Sequence, residues 1–176
     1  MFLILVSLLV VILVNIISTR GGDADAAVSA TSHPIVCEGI GWVNGNSVNL
    51  GCLLFKKSIM KYPEAESFCN QRNGHLVEIL SSEQMNFVVD QMKLQQDGVN
   101  QTYWWGGATD EAKEGRWTWT GAGVEVQNFV WGEAQPDIST GRNLLCFDSK
   151  YNFLGNDCRD NDDDLKSTTY PICQRM

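Results

Sequence analysis

Apolar positions are unevenly spread along this chain. Residues 2–17 are almost wholly apolar, with Asn15 the main interruption and no charge before Arg20. The run is short for a membrane span, which takes about 20 apolar residues. No Lys or Arg precedes it, as an anchor with a cytoplasmic N-terminus would require. The expectation is a cleaved signal peptide over residues 1–20, with small residues around Ser18 to Gly22 and Ala24 to Ala27 as cleavage sites. Residues 21–36 are small, polar and without period, and read as a flexible lead-in to a domain over residues 37–176.

Past Cys37 the pattern changes at short intervals. Gly and Asn punctuate Cys37 to Phe55, as in a short hairpin or loop. Tyr62-Pro63-Glu64-Ala65-Glu66 reads as a helix start, with Pro in the first turn and acids facing the positive end of the dipole. The helix runs to about Arg72, where Asn73-Gly74 ends it. His75 to Ile79 alternates as a strand. Ser81 is the N-cap of a second helix, Gln84 completes a capping box, and Phe87, Val88, Met92 and Leu94 form its apolar face. Thr102 to Gly106 and Trp117 to Trp119 read as strands, the latter with period-two aromatics. Gly121 to Tyr151 is rich in Gly, Asn and Asp and reads as one long loop, a feature that is usually functional in a compact domain. Tyr170 to Gln174 is a last short strand. The sum is an α+β fold.

Composition narrows the function. With 44% hydrophobic and 19% charged residues among 176, the chain is neither disordered, collagenous nor a coiled coil. Thirteen Lys and Arg stand against 21 Asp and Glu, a net charge of -8, the wrong sign for a nucleic-acid partner. The only two histidines, His33 and His75, leave little material for a His-rich zinc site or a histidine-based catalytic centre. No nucleophile–His–acid set and no phosphate loop can be assembled, so the chain reads as a non-enzyme. All six cysteines (Cys37, Cys52, Cys69, Cys146, Cys158 and Cys173) follow the apolar leader. An even number in an exported chain points to three disulfides, and fifteen pairings remain open at this level.

Five segments in order then carry a resemblance: YPEAESFCNQRNGHLVEI (Tyr62 to Ile79), YWWGGATD (Tyr103 to Asp110), EGRWTWTGAG (Glu114 to Gly123), FVWGEAQPD (Phe129 to Asp137) and YPICQ (Tyr170 to Gln174). Threaded by the six cysteines, they resemble a C-type lectin-like domain of the long form from Cys37 to Cys173. The resemblance implies a double-loop fold with two helices, two small antiparallel sheets and a long loop region carrying the ligand site. It implies the pairs Cys37–Cys52, Cys69–Cys173 and Cys146–Cys158. Closing the large Cys69–Cys173 loop is worth up to ~4–5 kcal/mol in the loop-entropy account.

The same resemblance implies a calcium site that doubles as a sugar site. Gln135-Pro136-Asp137 matches the family's tripeptide with a cis proline. Gln135, Asp137, Asn156 and Asp157 are the implied metal and sugar ligands. Calcium takes six to eight hard oxygens, and adjacent sugar hydroxyls complete the shell. Gln-Pro-Asp implies galactose-type glycans, whereas Glu-Pro-Asn implies mannose-type ones. Three departures weaken the match. Gly155 stands where the family has Trp, and Cys158 follows Asp157 without the usual two-residue gap. Leu144 stands where the family has a calcium-binding Glu, for which Asn143 offers only an amide oxygen. Asp110 and Glu114 match two ligands of a second calcium site, but Ile138 and Leu144 fall where further acids belong.

Other features have plainer readings. His75 sits in an alternating apolar stretch and reads as structural. Trp104, Trp105, Trp117, Trp119 and Trp131 read mostly as core. Asp160, Asp162, Asp163 and Asp164 read as a solvated run. Asn100-Gln101-Thr102 is a glycosylation sequon in an exported chain. Two functions follow as expectations: a secreted calcium-dependent lectin of defence type for galactose-like glycans, or a lectin-like domain that recognises a protein or another surface without calcium.

Overall fold

The computed structural model describes residues 35–96, 98, 101–137, 141–160 and 169–176. The leader, the lead-in through Pro34, Asn100, Ile138 and the acids Asp162 to Asp164 lie outside the described residues. Among the described residues no helix is long and apolar enough to cross a membrane.

Two helices form where the pattern places them. Helix α1 spans Tyr62–Asn70 with Pro in its first turn, and Glu64 accepts from the Lys61 N–H at 3.2 Å. Asn73, not Gly74, takes the left-handed conformation after it, at φ 56°. Gly74 is needed for another reason: a Cβ there would collide with the Gln174 carbonyl. Helix α2 spans Ser82–Leu94, and the Ser81 side chain accepts from the Gln84 N–H. The expected capping box is only half formed. Gln84 Oε1 takes the Leu80 N–H at 2.7 Å, and its amide donates to the Val48 carbonyl at 3.0 Å. The side chain thus ties α2 to the 3-10 turn Asn46–Val48.

Eight strands are described: β1 Trp42–Asn44, β2 Cys52–Phe55, β3 His75–Leu76, β4 Tyr103–Thr109, β5 Thr118–Trp119, β6 Leu144–Asp148, β7 Leu154–Cys158 and β8 Thr169–Arg175. Their main order is β1-β2-β8-β4-β6-β7, with β3 on β8 and β5 on β4. The two small sheets therefore join through β8, which runs antiparallel to β2 and parallel to β4. Two expectations are corrected. The strand at His75 stops at Leu76, because Val77 turns its N–H to Ile172 and its carbonyl to Gly107, on different strands. The region Gly121 to Tyr151 is not all loop. It contains β6 and the 3-10 turn Ser149–Tyr151. Leu144 to Phe147 is a short continuous apolar run, and Leu145 to Asp148 are all buried.

The core has two parts. Leu53, Val77, Val88, Met92, Trp104, Trp119 and Phe147 belong to the larger. Tyr62, Leu76, Trp105 and the cysteines Cys69, Cys146, Cys158 and Cys173 form the smaller. The three disulfides are Cys37–Cys52, Cys69–Cys173 and Cys146–Cys158, as the resemblance implies. Trp104, Trp105, Trp117 and Trp119 are buried, and Trp131 packs edge-on against Phe129. They are core rather than a sugar platform.

Candidate functional site

The loop after β5 is held at both ends by the frame. At its start, the buried Glu78 carboxylate accepts from the Gly121 N–H at 2.5 Å and the Ala122 N–H at 3.0 Å. Further on, the Gly132 N–H donates to the Gly155 carbonyl at 2.8 Å, and the Gly155 N–H donates to Val130 at 3.2 Å. This pairing lays the loop along β7. It also accounts for Gly155, since the Phe129 ring occupies the space any side chain there would fill. Three residues past Gly132 comes Gln135, whose bond to Pro136 is cis. Gln135 Oε1 accepts from the Asp157 N–H at 2.9 Å. The Gln-Pro-Asp segment and β7 are thus locked together by one side chain.

Asp157 is the centre of the region. It is 1% exposed, and neither of its carboxylate oxygens has a hydrogen-bond partner. Its carboxyl is pushed from an ordinary 3.8 up to about 7, first by burial, then by the charges of Asp110, Glu114 and Asp137; Arg142 opposes them. Arg142 spends a hydrogen bond on the Asp157 carbonyl, at 3.4 Å, rather than on the carboxylate. Asp110, at the end of β4, accepts from the Gly115 N–H at 2.7 Å with one oxygen, while the other is buried and unpartnered. Glu114, on the exposed turn that follows, is also raised, by desolvation and then by the charge of Asp110. Asn143 faces the same end of the sheet. Its carbonyl accepts from the Asp110 N–H at 3.4 Å, and its side-chain oxygen is buried without a partner.

Of the four residues the sequence nominates, Gln135 and Asp157 are in direct contact, and Asp137 acts on Asp157 through charge. Asn156 precedes Asp157 in β7 and so projects to the opposite face, where its side-chain oxygen lies against Gly132. Leu144 stands on the Cys146–Cys158 side, packed against the smaller core. The position opposite Asp157 belongs to Leu145. Asn143, two residues before Leu145, shares its parity. By position along the chain, Leu144 stands where the family has its Glu, and Asp110 and Glu114 match only part of a second site. The Asp-x-x-x-Glu spacing was visible, but not its closeness to Asp157, which depends on pairing between β4, β6 and β7.

Unpartnered buried oxygens on Asp157, Asp110 and Asn143, with Asp137 and Glu114 nearby, are hard donors that suit a cation such as calcium. Among the described residues no three His, Cys, Asp or Glu side chains close on a common point.

The family model for the lectin C-type domain matches residues 58–174. The human "C-type lectin domain family 10 member A" is 34% identical over 61% of this chain, which spans 31% of that protein's length. The "Perlucin-like protein" of Mytilus galloprovincialis is 28% identical over 80% of this chain and 86% of its own. A solved structure titled as a calcium-independent type II antifreeze protein superposes with a TM-score of 0.64 at 22% identity, covering 82% of this chain and 97% of that one. The chain belongs to the C-type lectin domain family.

Proposed function

We propose that this chain is a secreted, calcium-dependent lectin of galactose type, a binding module without catalysis. One calcium ion is held among Gln135, Asp137 and Asp157, with Asn143 and Asp110 as further oxygen donors. The observation that carries this reading is the buried carboxylate of Asp157. Two unpartnered oxygens amid three other acids are costly to bury unless a cation compensates them. Bound calcium would take two neighbouring sugar hydroxyls into its shell, and the chain's own task is to orient them. Gln135 and Asp137 flank Pro136, so the donor-bearing amide precedes the acceptor-only carboxylate. The test is calorimetric titration of calcium, paired with retention on galactose resin and release by a chelator. Asp137→Ala should abolish both metal and sugar binding. Gln135→Glu with Asp137→Asn should shift preference toward mannose with the fold intact. Affinity for calcium should fall in the weak extracellular range of ~10⁻⁴–10⁻³ M.

A second reading, recognition of a protein or other surface without calcium, is favoured by one detail. Gln135 Oε1 is already committed to the Asp157 N–H. Absence of calcium binding in both the wild type and Asp137→Ala at millimolar calcium selects this reading. Export, cleavage between about Ser18 and Ala27 and glycosylation at Asn100 belong to the same proposal. N-terminal sequencing of the secreted protein and a glycosidase-induced mass shift test them.

A further inference from the structure

A cavity of about 680 Å³ opens beside α1, between Tyr62 and Glu66 of that helix, Thr109 and Glu111 at the end of β4, and Leu144 at the start of β6. Its volume is in the range of small-molecule sites. Pro63 and Leu144 give it apolar walls, and three carboxylates (Glu66, Glu111 and Asp160) face one guanidinium, Arg159. Asp160 is partly committed, since it accepts from the Tyr62 N–H at 2.7 Å. Glu66 and Glu111 are not matched in this way. Glu66 is one helical turn on from Tyr62, so the two share a face of α1.

Tyr62 supplies the independent observation. It is 5% exposed, its ring packs edge-on against Trp105 at 5.4 Å, and it lines the cavity. Its hydroxyl lies near Thr120 but reaches no partner in hydrogen-bonding geometry, while the Thr120 hydroxyl donates to the Gly107 carbonyl at 3.1 Å. A buried phenol almost always finds a partner. This one carries a free acceptor beside two acids. Burial and the charges of Glu66, Glu78 and Glu111 raise the phenol well above its ordinary value, so it stays neutral. Burial and Glu111 also raise the Glu66 carboxyl. Each of these strains is relieved by a positive charge that brings N–H donors.

We propose that the cavity between Tyr62, Glu66 and Glu111 is a second binding site, for a small primary ammonium ion on a largely apolar body. The ammonium donates to the Tyr62 hydroxyl and to the two carboxylates, and the body rests on Pro63 and Leu144. The cavity shares only Asn143 with the lectin reading, as a lining residue and not as a ligand of the ammonium. None of its three polar groups is a calcium or sugar ligand in that reading.

Benzylammonium is the probe, with benzyl alcohol as its uncharged counterpart, titrated into the full chain at millimolar calcium and followed by amide chemical shifts. The expected result is saturable benzylammonium shifts at α1 and the β4 end, and none with the alcohol. Glu66→Gln with Glu111→Gln should weaken binding by about tenfold or more, the loss of charge-assisted hydrogen bonds. Tyr62→Phe should weaken it several-fold. If Tyr62→Phe does not fold, the glutamate pair decides alone. Equal binding of benzyl alcohol, unaltered binding by the glutamate pair, or no saturable shift each overturns the proposal. Galactose retention, read on the same samples, should be unaffected by the glutamate changes, so failure here and failure of the lectin reading are separable.

Discussion

Two buried carboxylates at opposite ends of the long loop meet opposite fates. Glu78, 5% exposed, receives the N–H groups of Gly121 and Ala122, and its own N–H donates to Gln174 Oε1 at 2.9 Å. Asp157, 1% exposed, receives nothing on its carboxylate and is surrounded by other acids. Both are buried, so burial does not separate them. What differs is who supplies the compensating positive dipoles. At Glu78 the fold does, and the carboxylate is a rivet. At Asp157 the fold withholds them, which is the arrangement expected where a cation is to come from outside.

The largest effect should come from breaking the satisfied end. Glu78→Ala leaves two loop N–H groups without an acceptor and empties a buried position, and should cost about 2–4 kcal/mol. Chemical denaturation measures it, and Glu78→Gln, which keeps an acceptor, should recover part of the loss. If Glu78→Ala is neutral, Glu78 is not the anchor of the loop.

The unsatisfied end should respond with the other sign. Asp157→Asn removes a buried charge that lacks a partner, so metal-free stability at neutral pH should stay level or rise by about 1 kcal/mol. Calcium binding should disappear. A loss of stability comparable to that of Glu78→Ala would mean that Asp157 is structural and would remove the main support for the cation site.

The pH dependence follows from the same shift. Asp157 is raised from its ordinary 3.8 to about 7, so between those values the metal-free folded chain holds a proton that the unfolded chain has lost. Its contribution to stability is therefore greatest below pH 4. That contribution falls as pH rises through about 7 and is level above. Calcium needs the ionised carboxylate, so affinity should run the opposite way, rising through about pH 7 with proton release on binding. Calorimetry in buffers of different ionisation enthalpy reads the released proton, and Asp157→Asn should erase the effect.

How much of this was legible beforehand differs between the two ends. Local chemistry announces the helices: Pro63 and the acids around it, Ser81 with Gln84 three on, and the left-handed Asn73. The disulfide pairing was legible only through the resemblance, since spacing leaves fifteen choices. β6 carries only a four-residue apolar run, Leu144 to Phe147, between segments rich in Gly, Asn and Asp, too short for its period to separate strand from loop. The three-residue shortening of β3 depends on Val77 being shared by β8 and β4, a tertiary fact. At the site, Gln135, Asp137 and Asp157 could be named from the tripeptide and its partner. Asn143 and Asp110 could be named too, as an amide substitute and as a ligand of a second site, but their closeness to Asp157 rests on where β4 and β6 end relative to each other.

That last point yields the smallest and sharpest test. Reading the chain by position makes Leu144 the residue standing where relatives have a calcium-binding Glu, and Leu144→Glu the change that restores a charge. The strand register argues otherwise. Leu144 pairs with Cys158 and packs with the smaller core, while Leu145 pairs with Asp157. Side chains alternate along a strand, so extending the β6 alternation by one residue puts Asn143 on the Asp157 side and Leu144 on the other, although both border the cavity beside α1. Asn143 also holds the buried, unpartnered side-chain oxygen. Asn143→Asp adds a charge where an oxygen already waits, and calcium affinity rises with ligand charge. It should tighten calcium several-fold. Leu144→Glu should leave calcium affinity unchanged and place a fourth carboxylate in the cavity, beside Glu66, Glu111 and Asp160, where it should strengthen benzylammonium binding instead. Titrating both variants with both ligands gives a two-by-two result. If Leu144→Glu tightens calcium and Asn143→Asp does not, the two residues have exchanged sides, and the register between β6 and β7 is shifted by one residue.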